Sequence, residues 1–233
     1  GFKINYHVML GLPGSDAKTD LAMLKTIIKN PDFKPDMLKI YPAMVLKGTK
    51  LYTKWKKGNY NPINTKQAAE IISEFKKNVP EWVRIMRVQR DIPTKVTEAG
   101  VDRTNLRQYV HDLLDKKEIE CSCIRCREPE GDIKEKNVSL KVTKYHASHG
   151  MEYFISFEDK KNDFIIGFCR LRFPSLNLRK EITEYSAIVR ELHVYGQATA
   201  IGRKGKIQHK GYGQQLLREA EQISLKNNKN KIV

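Results

Sequence analysis

The hydrophobic pattern of this chain changes period part-way along, and that change limits the folds open to it. Ile4 to Leu10 alternate as a strand does. Gly11-Leu12-Pro13-Gly14 is a turn, and Ser15 or Asp16 can cap a following helix. Leu21, Leu24, Ile27 and Ile28 then fall on one helical face, and Met37 to Tyr41 form a second strand ended by Pro42. Strand, helix, strand is a βαβ unit, which implies parallel pairing. The spacing predicts a further helix from about Asn64 to Asn78, with Ala68, Ile71, Ile72 and Phe75 inward, and a strand over Trp82 to Val88. From Val138 the period is two: strands fit 138–145, 151–157, 164–173 and 185–195, so antiparallel hairpins are expected. A helix from about Gly213 to Lys226 follows, and Lys231-Ile232-Val233 opens another strand. The expectation is an α/β chain in two parts, 1–95 and 138–233. They are joined by a connector, 96–137, that holds a helix from Asn105 to Lys117.

The chain carries 43 Lys and Arg against 27 Asp and Glu, a formal charge of +16. Residues 1–100 hold 18 basic and 9 acidic residues, so the excess is not confined to a tail. Such a charge attracts polyanions, and nucleic acid is the leading candidate; a merely solvated basic surface is the alternative. No apolar run approaches the roughly 20 residues that a bilayer requires. The start does not read as a signal peptide, and it lacks an initiator Met, so a fragment is expected.

Three of the four cysteines, Cys121, Cys123 and Cys126, fall within six positions. That clustering argues for a reducing, cytoplasmic setting and for a metal rather than a disulfide framework. Structural zinc needs four ligands, so one is missing; His111, His146 and His149 are candidates. Unligated thiols are the other reading. Cys169 sits mid-strand and is expected in the core.

The sharpest motif is Gln208-His209-Lys210-Gly211-Tyr212-Gly213, followed by a helix with Leu216, Leu217, Ala220 and Ile223 inward and preceded by the strand Ile188 to Tyr195. Glycines let backbone approach a ligand, and a helix N-terminus offers unpaired N–H groups to a pyrophosphate. A glycine turn without function is the competing reading. Strand, Q-x-x-G-x-G loop and helix resemble the acetyl-CoA site of GNAT acetyltransferases. The basic stretch with Arg203, Lys204 and Lys206 is longer than is usual there. Gly11-Leu12-Pro13-Gly14-Ser15 and Leu38-Lys39-Ile40-Tyr41-Pro42 resemble the later part of a radical-SAM barrel.

Taken in order with Arg87 to Pro93, Cys126-Arg127-Glu128 and Arg190 to Gly196, these segments resemble the Elongator catalytic-subunit family, in its archaeal single-subunit form. The resemblance implies a tRNA-modifying enzyme that carboxymethylates wobble uridine at C5. Acetyl-CoA would supply the acetyl unit, S-adenosylmethionine at a [4Fe-4S] cluster would generate a radical, and tRNA would trigger acetyl-CoA hydrolysis. The cluster ligands would lie upstream of this chain, and the family's tyrosines for acetyl transfer beyond Val233. It further implies that backbone groups of Glu191, Leu192, His193 and Val194 line the pantetheine arm. Gln208, Gly211, Gly213, Gln214 and Gln215 would meet the pyrophosphate. Lys39 and Tyr41 are candidates for the radical cleft, with a purely structural role as the alternative. Arg84, Arg87 and Arg90 are expected on one strand face, as tRNA or radical-site contacts or as a solvated face. Partner subunits are implied for the eukaryotic complex. Two other functions fit parts of the sequence: a protein lysine acetyltransferase, and a non-catalytic basic RNA-binding scaffold.

Overall fold

The computed structural model describes residues 2–130, 133–175, 179–195 and 211–233, and its chain divides into two compact units. The first comprises residues 4–30 and 35–126. It opens with β1 (Asn5–Leu10), α1 (Ala17–Lys29), β2 (Met37–Pro42), β3 (Val45–Leu46), α2 (Lys50–Lys56) and α3 (Thr65–Lys76). β4 (Arg84–Arg87), β5 (Thr97–Ala99) and α4 (Leu106–Lys116) complete it. The main sheet runs β1-β2-β4, parallel throughout, as the strand–helix–strand reading requires. One sheet face, with Val8, Leu10, Leu38, Ile40 and Ile85, is buried in one core with Leu24 and Ile28 of α1 and Ala68, Ile72 and Phe75 of α3.

The turn after β1 is built around one buried acid. Asp20, 4% exposed, accepts hydrogen bonds from Gly11 N (2.6 Å) and Ser15 Oγ (2.6 Å). Gly11 has φ +70°, and a Cβ there would stand 2.6 Å from Ile63 Cγ2, so both conformation and space demand glycine. Asp16, not Ser15, caps α1 by accepting from Thr19 N. Asn64 and Gln67 form a reciprocal capping box on α3.

Residues 96–126, expected as a connector, are part of this first unit. Leu106, Val110 and Leu114 of α4 join the same core as α3, as does Cys123. The strand expected over Trp82–Val88 is shorter, and Arg90 lies beyond its end. Residues 50–56, for which the apolar pattern gave no helix, form α2, capped by Thr49.

The second unit comprises the described residues of 1–3, 31–34 and 127–233. Its sheet has the order β10-β9-β8-β7-β6, built from β6 (Val138–Ala147), β7 (Gly150–Asp159), β8 (Phe164–Phe173), β9 (Ser186–Val194) and β10 (Lys231–Ile232). β6 to β9 are antiparallel, and β10 joins β9 in parallel. α5 (Tyr212–Lys226) buries Leu216, Ala220 and Ile223 against Tyr153, Ile155, Cys169 and Leu171. Leu217, expected inward, is exposed. Cys169 is fully buried, and burial pushes its thiol up to about 12. Among the described residues, no helix is long and apolar enough to cross a membrane.

The sheet face away from α5 carries buried ions. Arg127 (4% exposed) donates to Glu158 (7% exposed) at 2.8 Å, and Ser156 Oγ donates to the same carboxylate at 2.7 Å. Burial pushes the Glu158 carboxyl up, but these hydrogen bonds and the Arg127 charge outweigh it and hold it below its ordinary value. Its stabilising contribution is therefore complete above the unfolded-state value and is lost as pH falls through the folded one. Arg127→Leu should cost about 3–5 kcal/mol near neutral pH, because it strands a buried carboxylate. The gap to wild type should shrink below pH 4.5, the ordinary carboxyl value, as Glu158 takes up a proton. Urea unfolding of both proteins across that range checks this, and a pH-independent gap would contradict it. Asp20→Ala should cost about 1–3 kcal/mol by leaving the Gly11 N–H without its acceptor, visible as a lower urea midpoint.

Candidate functional site

β9 does not stay paired along its length. Its β10 side is bonded through Ser186, Ala187 and Val189, whose N–H donates to the Val233 carbonyl. There the strand bulges. Arg170 pairs with Glu191 but Leu171 with Val189, so Arg190 is an extra residue. Beyond it, β9 stays on β8 through Val194, while among the described residues no strand covers its other edge. Tyr195 N–H donates to Ile166 O of the neighbouring strand, so by alternation the peptide groups of Val194 and Leu192 face the open edge.

α5 begins beside that edge. Gly211 takes the left-handed conformation at φ +80° as its N-cap. A Cβ on Gly213 would lie 3.6 Å from Val194 Cγ2 and 3.9 Å from Leu192 Cδ2, whereas among the described residues one on Gly211 would meet only Gln215 Nε2 at 3.9 Å. The peptide groups on that edge and the positive dipole end of α5 are thus adjacent, with no side chain on either glycine between them. Gln214 and Gln215 are exposed in the first turn of α5. Gln208 lies outside the described residues.

The bulge is pinned by ions. Glu191 accepts from Arg170 Nε (2.9 Å) and Lys3 Nζ (2.8 Å). Burial raises its carboxyl, but Lys3 and Arg170 win and keep it ionised. Arg170 is 1% exposed, its guanidinium 5.3 Å from the Phe154 ring and 5.2 Å from the Phe168 ring. Arg190 and Arg172 both donate to the buried Glu152 carboxylate, at 2.9 and 2.6 Å. Glu191 is therefore a structural anion at the bulge. His193 stacks on the other side of the strand from Leu192, 4.5 Å from Tyr195 and 5.8 Å from Phe168.

In the first unit, Cys121, Cys123 and Cys126 converge, their sulfurs within 4.8 Å of one another. The group beside them is Lys76, the last residue of α3 and 1% exposed. Its Nζ lies 3.0 Å from Cys126 Sγ, 3.2 Å from Cys121 Sγ and 4.0 Å from Cys123 Sγ. Burial opposes its charge, but the three sulfurs outweigh that and hold the amine protonated. Hydrogen bonds from Cys121 and Cys123, and then Lys76, hold Cys126 well below the usual thiol range. His111 on α4 is half-buried, and burial with the Lys76 and Arg107 charges lowers its affinity for a proton. His146 and His149 belong to the second unit. The three sulfurs can hold a metal ion, and the residue beside them is the lysine that spacing did not suggest. Its one signal was position: Lys76 follows Ile72 by four residues, on the buried side of α3.

The face of the β1-β2-β4 sheet opposite the core carries the remaining candidates. Register places His7, Lys39 and Arg87 side by side, Met9 beside Tyr41, and Met37 beside Arg84. The His7 and Tyr41 rings meet edge to face at 5.7 Å. Lys39, Tyr41 and Arg87 stand toward the C-terminal strand ends, where α/β sheets place their sites. Arg87 is ion-paired with Asp91. Arg84 joins this face, but Arg90 does not: it is exposed on the turn that follows.

Comparison with known proteins bears on the chain as a whole. Residues 35–116, within the first unit, match the radical-SAM C-terminal domain. The chain is 47% identical to the tRNA uridine(34) acetyltransferase of Methanocaldococcus jannaschii, over 96% of this chain and 43% of that one. It is 39% identical to Elongator complex protein 3 of Saccharomyces cerevisiae, over 96% of this chain and 42% of that one. A solved structure of the archaeal Methanocaldococcus infernus Elp3, with residues 1–46 deleted, superposes with a TM-score of 0.92 at 45% identity. That match covers 99% of this chain and 57% of that one. The chain thus spans less than half the length of these curated relatives. It is a relative of the Elongator catalytic subunits, as the sequence motifs indicated.

Proposed function

With that kinship as premise, we propose that the chain is the acetyl-CoA-binding part of an acyltransferase that modifies the wobble uridine of tRNA at C5. The observation that carries this reading is the open edge of β9 beside the N-terminus of α5. The pantetheine arm, an amide chain, is proposed to pair with the peptide groups of Leu192 and Val194 as a missing strand would. The pyrophosphate is proposed to sit on the first N–H groups of α5, where Gly211 and Gly213 leave room and the helix dipole favours negative charge. Gln214 and Gln215 flank that place. The second unit would then be a GNAT-type domain. Acetyl-CoA supplies the acetyl unit. The ion pairs of Glu191 and Glu152 fix the edge, and Glu191, already held by two cations, serves position rather than proton transfer.

The radical-SAM domain supports S-adenosylmethionine and a [4Fe-4S] cluster as further cofactors. No C-x-x-x-C-x-x-C occurs in the 233 residues, so none of these cysteines has the spacing for that cluster. Lys39, Tyr41 and Arg87 on the open sheet face are the side chains we assign to substrate contact there. tRNA as the partner is supported by the +16 charge and by the relatives' names. Partner subunits of the Elongator type are not required by anything in this reading.

The cysteine site is proposed to hold structural zinc, with Lys76 Nζ as the fourth donor. In a tetrahedral site with ordinary Zn–S and Zn–N lengths, sulfur and nitrogen stand about 3.5 Å apart. The observed 3.0–4.0 Å bracket that edge. Binding would release the thiol and ammonium protons.

Two tests follow. Gly213→Val should weaken acetyl-CoA binding by tenfold or more in calorimetry, because the added methyls fill the space beside Leu192 and Val194; the melting temperature should hold. Unchanged affinity would place the cofactor elsewhere. The purified chain should carry one zinc, measured by mass spectrometry. Lys76→Met should weaken zinc about 10- to 100-fold in chelator competition, and equal retention would make Lys76 only a neighbour of the site.

A further inference from the structure

α2 is a helix with no buried residue of its own. It lies in the most one-sidedly charged stretch of the chain: residues 37–69 contain seven lysines and no acidic residue. Lys47, Lys50, Lys54, Lys56 and Lys57 are all exposed, and among the described residues none of them is in an ion pair. Lys50, Lys54 and Lys57 recur at helical spacing, so they form one ridge roughly 10 Å long. This arrangement opposes helix stability. Lysines at i and i+4 repel each other, and Lys50 places a cation in the first turn, where the dipole disfavours it. Lys54 and Lys56 in the last turn suit the dipole, but they do not account for the other three.

Aromatic rings stand beside that ridge. Tyr52 and Trp55 are half-buried with ring centroids 5.9 Å apart. Lys56 Nζ rests 4.7 Å from the Trp55 ring and 5.6 Å from the Tyr52 ring. One exposed cation over two rings shows that both rings present a face that a cationic or planar electron-poor group can reach. The nearby β5, which pairs with β3, brings one acid, Glu98, and the exposed Lys95 precedes it.

We propose that residues 47–57 form a docking surface for single-stranded RNA, with Lys50, Lys54 and Lys57 on successive phosphates and unstacked bases against Trp55 and Tyr52. Cations in a row beside stackable rings are the two elements that single-strand recognition needs. A duplex would use the ridge alone, and an acidic lipid surface would not need the rings. The assignment rests on the tRNA reading above and adds to it: α2 holds the loop nucleotides of the RNA whose base is modified. Lys56 would leave the rings for a phosphate as a base takes its place.

The test uses the full chain with two probes, a labelled anticodon stem-loop and inorganic polyphosphate, each titrated over a range of salt. Lys50→Ala, Lys54→Ala and Lys57→Ala together should weaken both probes. For RNA the slope of log affinity against log salt should become shallower by about two, since each single-strand phosphate contributes about 0.7. Trp55→Ala should weaken RNA about tenfold and leave polyphosphate unchanged, while Trp55→Phe should stay near wild type. Because the three lysines are exposed, the melting temperature of the triple variant should be preserved, and Trp55→Phe, which keeps a ring in the half-buried place, separates stacking from packing for Trp55→Ala. Wild-type RNA affinity in both the triple variant and Trp55→Ala would overturn this surface while leaving the tRNA reading intact. Equal weakening of both probes by Trp55→Ala would overturn the stacking. A wild-type chain that binds no tRNA even at low salt would remove the reading itself and this surface with it.

Discussion

The candidate acetyl site depends on one irregularity, the extra residue Arg190 in β9. The bulge turns the peptide groups of Leu192 and Val194, rather than those of Glu191 and His193, away from β8. A bulge alone would be loose, because it gives up ladder bonds. Here it is tied on both sides by charge. Glu152, 2% exposed, takes Arg172 and Arg190, and Glu191 takes Arg170 and Lys3. Buried ions contribute little net stability against apolar packing, but they hold a unique geometry and are costly to break singly. That is what a preformed ligand edge needs. A ligand on that edge would meet peptide groups already set apart.

The same logic recurs in the first unit. Three thiols, one of them fully buried, close on a buried lysine, whose charge is held by the sulfurs around it. The α3 helix that delivers Lys76 is fixed by its capping box and by Phe75 and Ile72 in the core. The cluster therefore joins α3 to the segment after α4. It explains why residues 96–126 belong to this unit rather than forming a linker.

Much of this was legible in the sequence. Strong alternation from Val138 set β6 to β9 within one or two residues, and the Gly-Tyr-Gly pair set the start of α5. What stayed hidden has a physical cause in each case. Lys76 sits on an apolar helix face, where a charge is unreadable without its partners 45 to 50 positions away. α2 is seven residues long with only Leu51, Tyr52 and Trp55 half-buried, too short a run for a helical period to stand out. The bulge at Arg190 leaves the alternation of Ile188 to Val194 nearly intact, since ions rather than apolar contacts hold it. The equal spacing of Arg84, Arg87 and Arg90 suggested one face, but the strand ends at Arg87.

The most direct measurement is amide hydrogen exchange of the full chain with and without acetyl-CoA, resolved to single residues along β9 and α5. Pairing of the pantetheine arm to the open edge predicts slowed exchange at Leu192 and Val194 and at the first turn of α5. The amide of Tyr195, already bonded to Ile166, should change little. Protection confined to the β1-β2-β4 sheet, or none at Leu192 and Val194 under saturating acetyl-CoA, would contradict the account.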